Sequence, residues 1–166
     1  MNKIIAILVL GLSSVLPAVA GPRWLTNLDE AQKVAAKENK PLFIDFTGSD
    51  WCGFCMKLEE EVFAKSAFSS FAKDYVLVRL DFPHGKKLPA ADTARNEAAQ
   101  RKFGVGGFPS VVVLDPKGEE VLARASGYKP GSGPAAYLKQ FKDVKKPKAG
   151  PETPKDKAGT KAGAGA

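Results

Sequence analysis

The sequence predicts an α/β domain, a three-layer α/β/α sandwich around a mixed central sheet. Three observations point there. Helix-like and strand-like periodicities alternate through the early part of the chain, and two late strand-like runs are joined by a tight turn. About 146 residues follow an N-terminal export signal, enough for one hydrophobic core and too few for two comfortable ones.

Residues 1–20 read as that signal. Lys3 supplies a positive start, Ile4 to Leu16 an apolar run, and Ala18-Val19-Ala20 a small-residue cleavage site, so cleavage is expected after Ala20. The apolar run is shorter than the roughly 20 residues of a spanning helix. No cysteine follows the cleavage site to accept a lipid. A periplasmic or secreted product, with its domain at 21–144, is the expectation.

From Asn27 to Lys40, Leu28, Ala31, Val34 and Ala35 recur at helical spacing, with Asn27 or Asp29 as N-cap. Pro41 then opens Leu42-Phe43-Ile44-Asp45-Phe46, a run suited to a strand buried on both faces, with Asp45 as its exception. Thr47 to Asp50 break the strand. From Cys52 onward Cys55, Leu58 and Val62, with Met56 and Phe63, mark one side of a second helix. Tyr75 to Phe82 reads as a strand, and a Pro, Gly and Lys loop leads to a helix from Asp92 to Phe103. A glycine-rich turn, Gly104 to Pro109, precedes the β-branched strand Ser110 to Asp115. Pro116-Lys117-Gly118 turns the chain into a hairpin partner, Glu119 to Ala125, and Pro134 to Val144 forms a closing helix. The order α-β-α-β-α-β-β-α implies a sheet parallel in its first part and antiparallel at its edge.

Residues 145–166 contain no residue able to join a core, so a disordered Lys/Pro/Ala/Gly-rich tail is expected there. This tail explains most of the charge. The chain carries +7, of which the tail holds +4 and Lys3 one more, leaving about +2 on the domain. A tail without aromatic residues does not make a nucleic-acid surface, so no nucleic-acid partner is expected.

The two cysteines, Cys52 and Cys55, carry the chemistry. A bridge between residues three apart closes off almost no chain entropy, so stapling the fold is a poor explanation for it. Reactivity is a better one. The pair sits where strand gives way to helix, and one helical turn brings the two sulfurs within disulfide reach. At the helix start, unpaired backbone N–H groups and the helix dipole stabilise a Cys52 thiolate, making it the attacking nucleophile. Cys55, one turn inside, then resolves the mixed disulfide. A tetrahedral zinc site needs two more ligands, and His84 is the sole histidine, so no metal and no cofactor are assigned.

Ile44-Asp45-Phe46 through Trp51-Cys52-Gly53-Phe54-Cys55, together with Gly107-Phe108-Pro109-Ser110, resembles the thioredoxin family over residues 24 to 144. The Trp24-Leu25 start, Lys40-Pro41 and Met56-Lys57-Leu58-Glu59 are most similar to exported bacterial thioredoxin-like thiol-disulfide oxidoreductases. The resemblance implies a thioredoxin-like sandwich and a cis-Pro109 facing the disulfide. It also implies a buried acid at Asp45, although one extra residue separates Asp45 from Trp51-Cys52. Such a carboxyl has a raised pKa and can exchange a proton with Cys55. Trp51, Phe108 and Pro109 are the candidate substrate-binding residues, Phe108 offering backbone to an extended segment.

Gly53-Phe54 replaces the Gly-Pro pair usual in the family, so the dipeptide does not set the direction of electron flow. Arg79 either pairs with Asp45 or faces solvent. Lys57, His84 and Glu59-Glu60-Glu61 read as solvated surface. The resulting expectation is a monomeric oxidoreductase, more a reductase than an oxidase, acting on protein disulfides or thiols and re-reduced by a membrane electron-transfer partner. A second reading, a chaperone or copper carrier, uses the same fold without redox turnover.

Overall fold

The computed structural model describes residues 21–144. The expected export signal at 1–20 and the expected disordered tail at 145–166 therefore lie outside the described residues. Five strands, β1 (Trp24–Leu25), β2 (Leu42–Thr47), β3 (Val76–Asp81), β4 (Ser110–Leu114) and β5 (Val121–Ser126), form one sheet in the order β1-β3-β2-β4-β5. β1 and β2 each pair with β3 in parallel, whereas β4 runs antiparallel to both β2 and β5. This is the mixed sheet that the alternation and the late hairpin predict.

Local chemistry sets the element ends. The Asn27 side chain accepts hydrogen bonds from the N–H groups of Asp29 and Glu30, capping α1 (Leu28–Glu38). The helix closes on Asn39 in the left-handed region, a conformation asparagine tolerates, and Pro41 follows. In the hairpin turn, the Asp115 carboxylate accepts from the N–H groups of Lys117, Glu119 and Glu120. Gly118 supplies the positive φ that this turn needs.

Every residue of β2 is buried, as the centre of the sheet requires. Its side chains alternate between two layers. Leu42, Ile44 and Phe46 join Ala31 and Ala35 of α1 and Ala99 of α4 (Ala90–Lys102) in one cluster. Phe43 points into the other, with α2 (Gly53–Leu58), α3 (Ser66–Ala72) and α5 (Gly133–Leu138) above it. Period-two alternation therefore puts Asp45 on the Phe43 side, beneath α2.

Two features differ from the sequence-based expectation. The single helix expected from Cys52 is three pieces: α2, a π-helical turn at Glu59–Phe63, and α3 after the extended residue Lys65. The wider turn lets the consecutive residues Val62 and Phe63 both reach the core, and the break at Lys65 redirects the chain so that Phe68 and Ala72 cover the same layer. Strand β1, only two residues long, shows no alternation in the sequence. Its Trp24 stacks on Phe68 at 5.8 Å and extends the aromatic layer to the sheet edge.

Phe43 is fully buried at the centre of that layer, its ring 5.2 Å from Phe141, 5.8 Å from Phe68 and 5.9 Å from Tyr75. Truncating it leaves a cavity that rings fixed by one another cannot collapse. Phe43→Ala is expected to lower the unfolding free energy by about 4 kcal/mol. Denaturant unfolding checks this as a fall in midpoint at unchanged slope.

Candidate active site

β2 ends at Thr47, and Gly48 to Trp51 carry the chain to α2. A Cβ on Gly48 would lie 2.5 Å from the Trp51 ring, so glycine is what allows the indole to fold back over the turn. Ser49 donates its N–H and hydroxyl to the Asp81 carboxylate at 2.9 and 2.7 Å. Asp50 accepts the N–H groups of His84 and Gly85 at 3.0 and 2.7 Å. These bonds hold the Asp50 carboxyl below its ordinary range, the His84 N–H most of all. Both ends of the lengthened turn are thus anchored to the segment after β3.

Cys52 is the N-cap of α2. Its backbone is extended, and its sulfur accepts the N–H of Cys55 at 3.2 Å. The two cysteines are joined as a disulfide with Cα atoms 5.2 Å apart. Cys52 is 6% exposed and Cys55 4%, so accessibility barely separates them. Position in the helix does. Cys52 stands at the positive helix end with a backbone N–H directed at its sulfur, and Cys55 stands inside the first turn.

Beneath the pair, Asp45 is 3% exposed. Arg79 stands opposite it in the β2–β3 register and donates through Nε to Asp45 Oδ2 at 3.2 Å. The same guanidinium donates through Nη2 to Glu59 and lies 4.4 Å over the Trp24 ring. Of the two alternatives open for Arg79, the structure shows the pairing. Burial nevertheless pushes the Asp45 carboxyl up to about 7, against the opposing attraction of Arg79 and with smaller upward contributions from Glu59 and Asp81. One cation divided between two carboxylates does not offset the loss of water around the buried one.

Glu59 was not singled out by sequence reasoning, which placed all three glutamates on a solvated face. The structure sends them three ways. Glu59 pairs with Arg79, Glu60 with Lys57 at 2.9 Å on the surface, and Glu61 accepts from the Tyr128 hydroxyl and the Gly131 N–H, each at 2.6 Å. Glu59 lies four residues after Cys55, and that spacing was the available signal. Cys55, Met56, Glu59 and Arg79 share a cleft of about 220 Å³ with Thr47 and Ser49.

On the other flank the Phe108–Pro109 bond is cis. The Pro109 carbonyl accepts the Gly127 N–H at 2.8 Å, and the Phe108 ring meets Trp51 edge-on at 5.8 Å. Trp51 also donates its indole N–H to the Phe82 carbonyl at 2.7 Å and stacks on His84 at 4.4 Å. Trp51 directly precedes Cys52 and has Phe108 against its ring, Pro109 follows Phe108 at the entry to β4, and Trp51, Phe54 and Met56 are exposed. His84 serves as a stacking partner. Among the described residues, no group of three or more His, Cys, Asp or Glu side chains converges as metal ligands would.

The family model of a thioredoxin-like domain matches residues 28–142. The disulfide bond reductase DsbH of Chlamydia pneumoniae is 35% identical over 130 residues, covering 78% of this chain and 76% of that protein. The thiol:disulfide interchange protein DsbD of Ralstonia nicotianae is 27% identical over 104 residues, 63% of this chain but 16% of DsbD, so the likeness is to one portion of a longer protein. Among solved structures, a DsbH oxidoreductase superposes with a TM-score of 0.69 at 33% identity, over 80% of this chain and 91% of its own. A thioredoxin from Thermus thermophilus superposes with a TM-score of 0.57 at 21% identity, over 75% and 88% of the two chains, a likeness of fold. A match that takes in β2 to β5 and all five helices, with a cysteine pair disposed for exchange at its centre, places this chain in the thioredoxin-like family, among its thiol-disulfide oxidoreductases.

Proposed function

We propose that this chain is an exported, monomeric reductase of protein disulfides, working in the periplasm and re-reduced by a membrane electron-transfer protein. The observation that carries this reading is Cys52 at the cap of α2, its sulfur already accepting a backbone N–H. Similarity to a protein named as a disulfide bond reductase supports the direction. An export signal in the sequence supports the location.

The reaction starts from the dithiol. The Cys52 thiolate attacks one sulfur of the substrate disulfide; a Cys52–substrate bond forms, and the other substrate sulfur leaves as thiolate and takes a proton from solvent. Cys55 then gives its proton to the Asp45 carboxylate, attacks the Cys52 sulfur, and releases the second substrate thiolate. The enzyme ends as the Cys52–Cys55 disulfide, and two electrons have passed to the substrate. A carboxyl with a pKa of about 7 accepts that proton and returns it to water near neutral pH without a large barrier in either direction. Trp51, Phe54 and Met56 give the incoming segment an apolar bed, and Phe108 and Pro109 present backbone to it.

A single-cysteine pair tests the sequence of steps. Cys55→Ser is expected to accumulate covalent adducts with substrate proteins that dithiothreitol releases. Cys52→Ser is expected to form none and to lose disulfide reduction by at least about 10³-fold. Equilibration with a glutathione series, followed by Trp51 fluorescence, tests the direction. A potential near about −270 mV agrees with a reductase, and one near about −120 mV overturns it.

Asp45 makes a prediction for stability. Its pKa is about 7 in the folded oxidised chain, against 3.8 for an ordinary aspartate. Between those values the unfolded chain has released this proton and the folded chain holds it, so the Asp45 contribution falls as pH rises through the window and levels above it. The loss is on the order of 4 kcal/mol. Asp45→Asn stays neutral throughout. The difference in unfolding free energy between Asp45→Asn and the parent is therefore expected to grow in favour of the variant from pH 4 to 7, while resolution by Cys55 slows. A pH-independent difference would sink the assignment.

A further inference from the structure

Two consecutive residues of the turn before Cys52, Asp50 and Trp51, grip the same short loop after β3. The Trp51 indole N–H donates to the Phe82 carbonyl at 2.7 Å. Two residues further on, the His84 ring stacks on the indole with centroids 4.4 Å apart and planes 6° from parallel. The Asp50 carboxylate accepts the backbone N–H groups of His84 and Gly85. A Cβ on Gly85 would stand 3.1 Å from Asp50 Oδ2, so glycine suits that close approach. One turn residue thus holds the loop by its backbone, and the next is held by the loop through a ring.

Burial does not account for this arrangement. Trp51 remains 42% exposed, and His84 is exposed as well. The indole is instead the outer end of a chain of rings that starts in the core. Ring centroids are 6.5 Å apart for Phe46 and Phe82, 5.0 Å for Phe82 and Phe108, and 5.8 Å for Phe108 and Trp51. An exposed tryptophan held by a hydrogen bond, an edge contact and a face contact has little rotamer freedom left to lose when a partner settles on it. Preorganisation of that kind lowers the entropic cost of association.

We propose that His84 is a positioning residue for substrate recognition. Its imidazole face holds the indole of Trp51, the residue directly before Cys52, as a fixed wall for an apolar segment flanking the substrate disulfide. The bonds to Asp50 need only backbone N–H groups, which any residue but proline supplies at position 84, whereas the stack needs a flat ring there. His84 itself takes no part in the exchange. The recognition rests on the disulfide reduction proposed above, whereas the ordering of the indole does not.

The ordering is read from the Trp51 indole N–H resonance of the nitrogen-labelled chain, assigned by its loss in Trp51→Phe. His84→Ala keeps both backbone N–H groups that Asp50 accepts and removes only the ring, so the loop stays anchored. In that variant the heteronuclear Overhauser effect of the indole N–H is expected to fall and its exchange with water to quicken. His84→Phe supplies a flat ring without a polar atom, and is expected to restore both readings.

Recognition is read by stopped-flow mixing of the reduced chain with a peptide dimer joined by one disulfide, with leucine on either side of each cysteine. In His84→Ala the half-saturating peptide concentration is expected to rise roughly three- to tenfold, the cost of ordering one more side chain on binding, while the plateau rate holds. In His84→Phe it is expected to return. A dimer with serine in place of the leucines is expected to show no such rise, and an equal rise with it overturns the apolar preference. An indole unmoved in His84→Ala overturns the proposal. So does a looser indole at unchanged half-saturation, a fall confined to the plateau rate, or failure of phenylalanine to restore what alanine removes. If the chain exchanges no disulfides at all, recognition falls with the reductase reading while the ordering of the indole by His84 stands, so the two failures are distinguishable.

Discussion

A carboxyl held in the middle of the central strand is the constraint around which the rest of this site is arranged. Asp45 occupies a β2 position where every other residue is buried and most are apolar, and desolvation of its charge dominates its behaviour. Arg79 answers it across the β2–β3 register but is itself shared with Glu59. A buried ion pair with an exclusive partner would lock Asp45 in its charged form; a divided one leaves it near the balance point. The same sharing explains why a two-residue strand matters. β1 brings Trp24 over the Arg79 guanidinium, where the ring face accepts a cation and limits its freedom. The strand holding Arg79 and the edge strand covering it thus cooperate in setting the acidity of a group on a third.

The π turn after α2 distributes three consecutive glutamates. In this stretch one element must send Glu59 toward Arg79, Glu61 toward the β5–α5 loop, and Val62 and Phe63 into the core. A regular α-helix places side chains 100° apart, and inserting one residue into the turn changes that spacing where it is needed. The consequence reaches the opposite flank of the site. Glu61 fixes Tyr128, and the adjoining Gly127 N–H is bonded to the Pro109 carbonyl. The helix that carries the redox pair is therefore tied to both walls of the surface around it, through Glu59 on one side and Glu61 on the other.

What the sequence disclosed and what it hid follow from the range of the interactions involved. The strand carrying Asp45, the turn into Cys52 and the helix after it were legible because period-two and helical spacings are local, as was the late hairpin with its Pro-Lys-Gly turn. The extra residue between Asp45 and Trp51 looked like a threat to the alignment. In the structure it is absorbed by Ser49 and Asp50, whose partners Asp81, His84 and Gly85 lie more than thirty residues away. Nothing in the local pattern encodes that contact. The same holds for Glu59 and Arg79, 20 residues apart. Charged residues on a helix look solvated until the neighbouring strand supplies a partner.

The asymmetry between the two cysteines is the last consequence of this arrangement. Burial does not create it, since both are nearly covered. It comes from what each sulfur meets. Cys52 sits outside the first helical turn, in line with the dipole and with the Cys55 N–H pointing at it, so negative charge on that sulfur is stabilised. Cys55 sits inside the turn, in a cleft shared with Glu59, on the side of β2 where burial raises the Asp45 carboxyl to about 7. One backbone turn thus gives the two sulfurs different surroundings. Phe54, between the two cysteines, is 58% exposed and carries no charge.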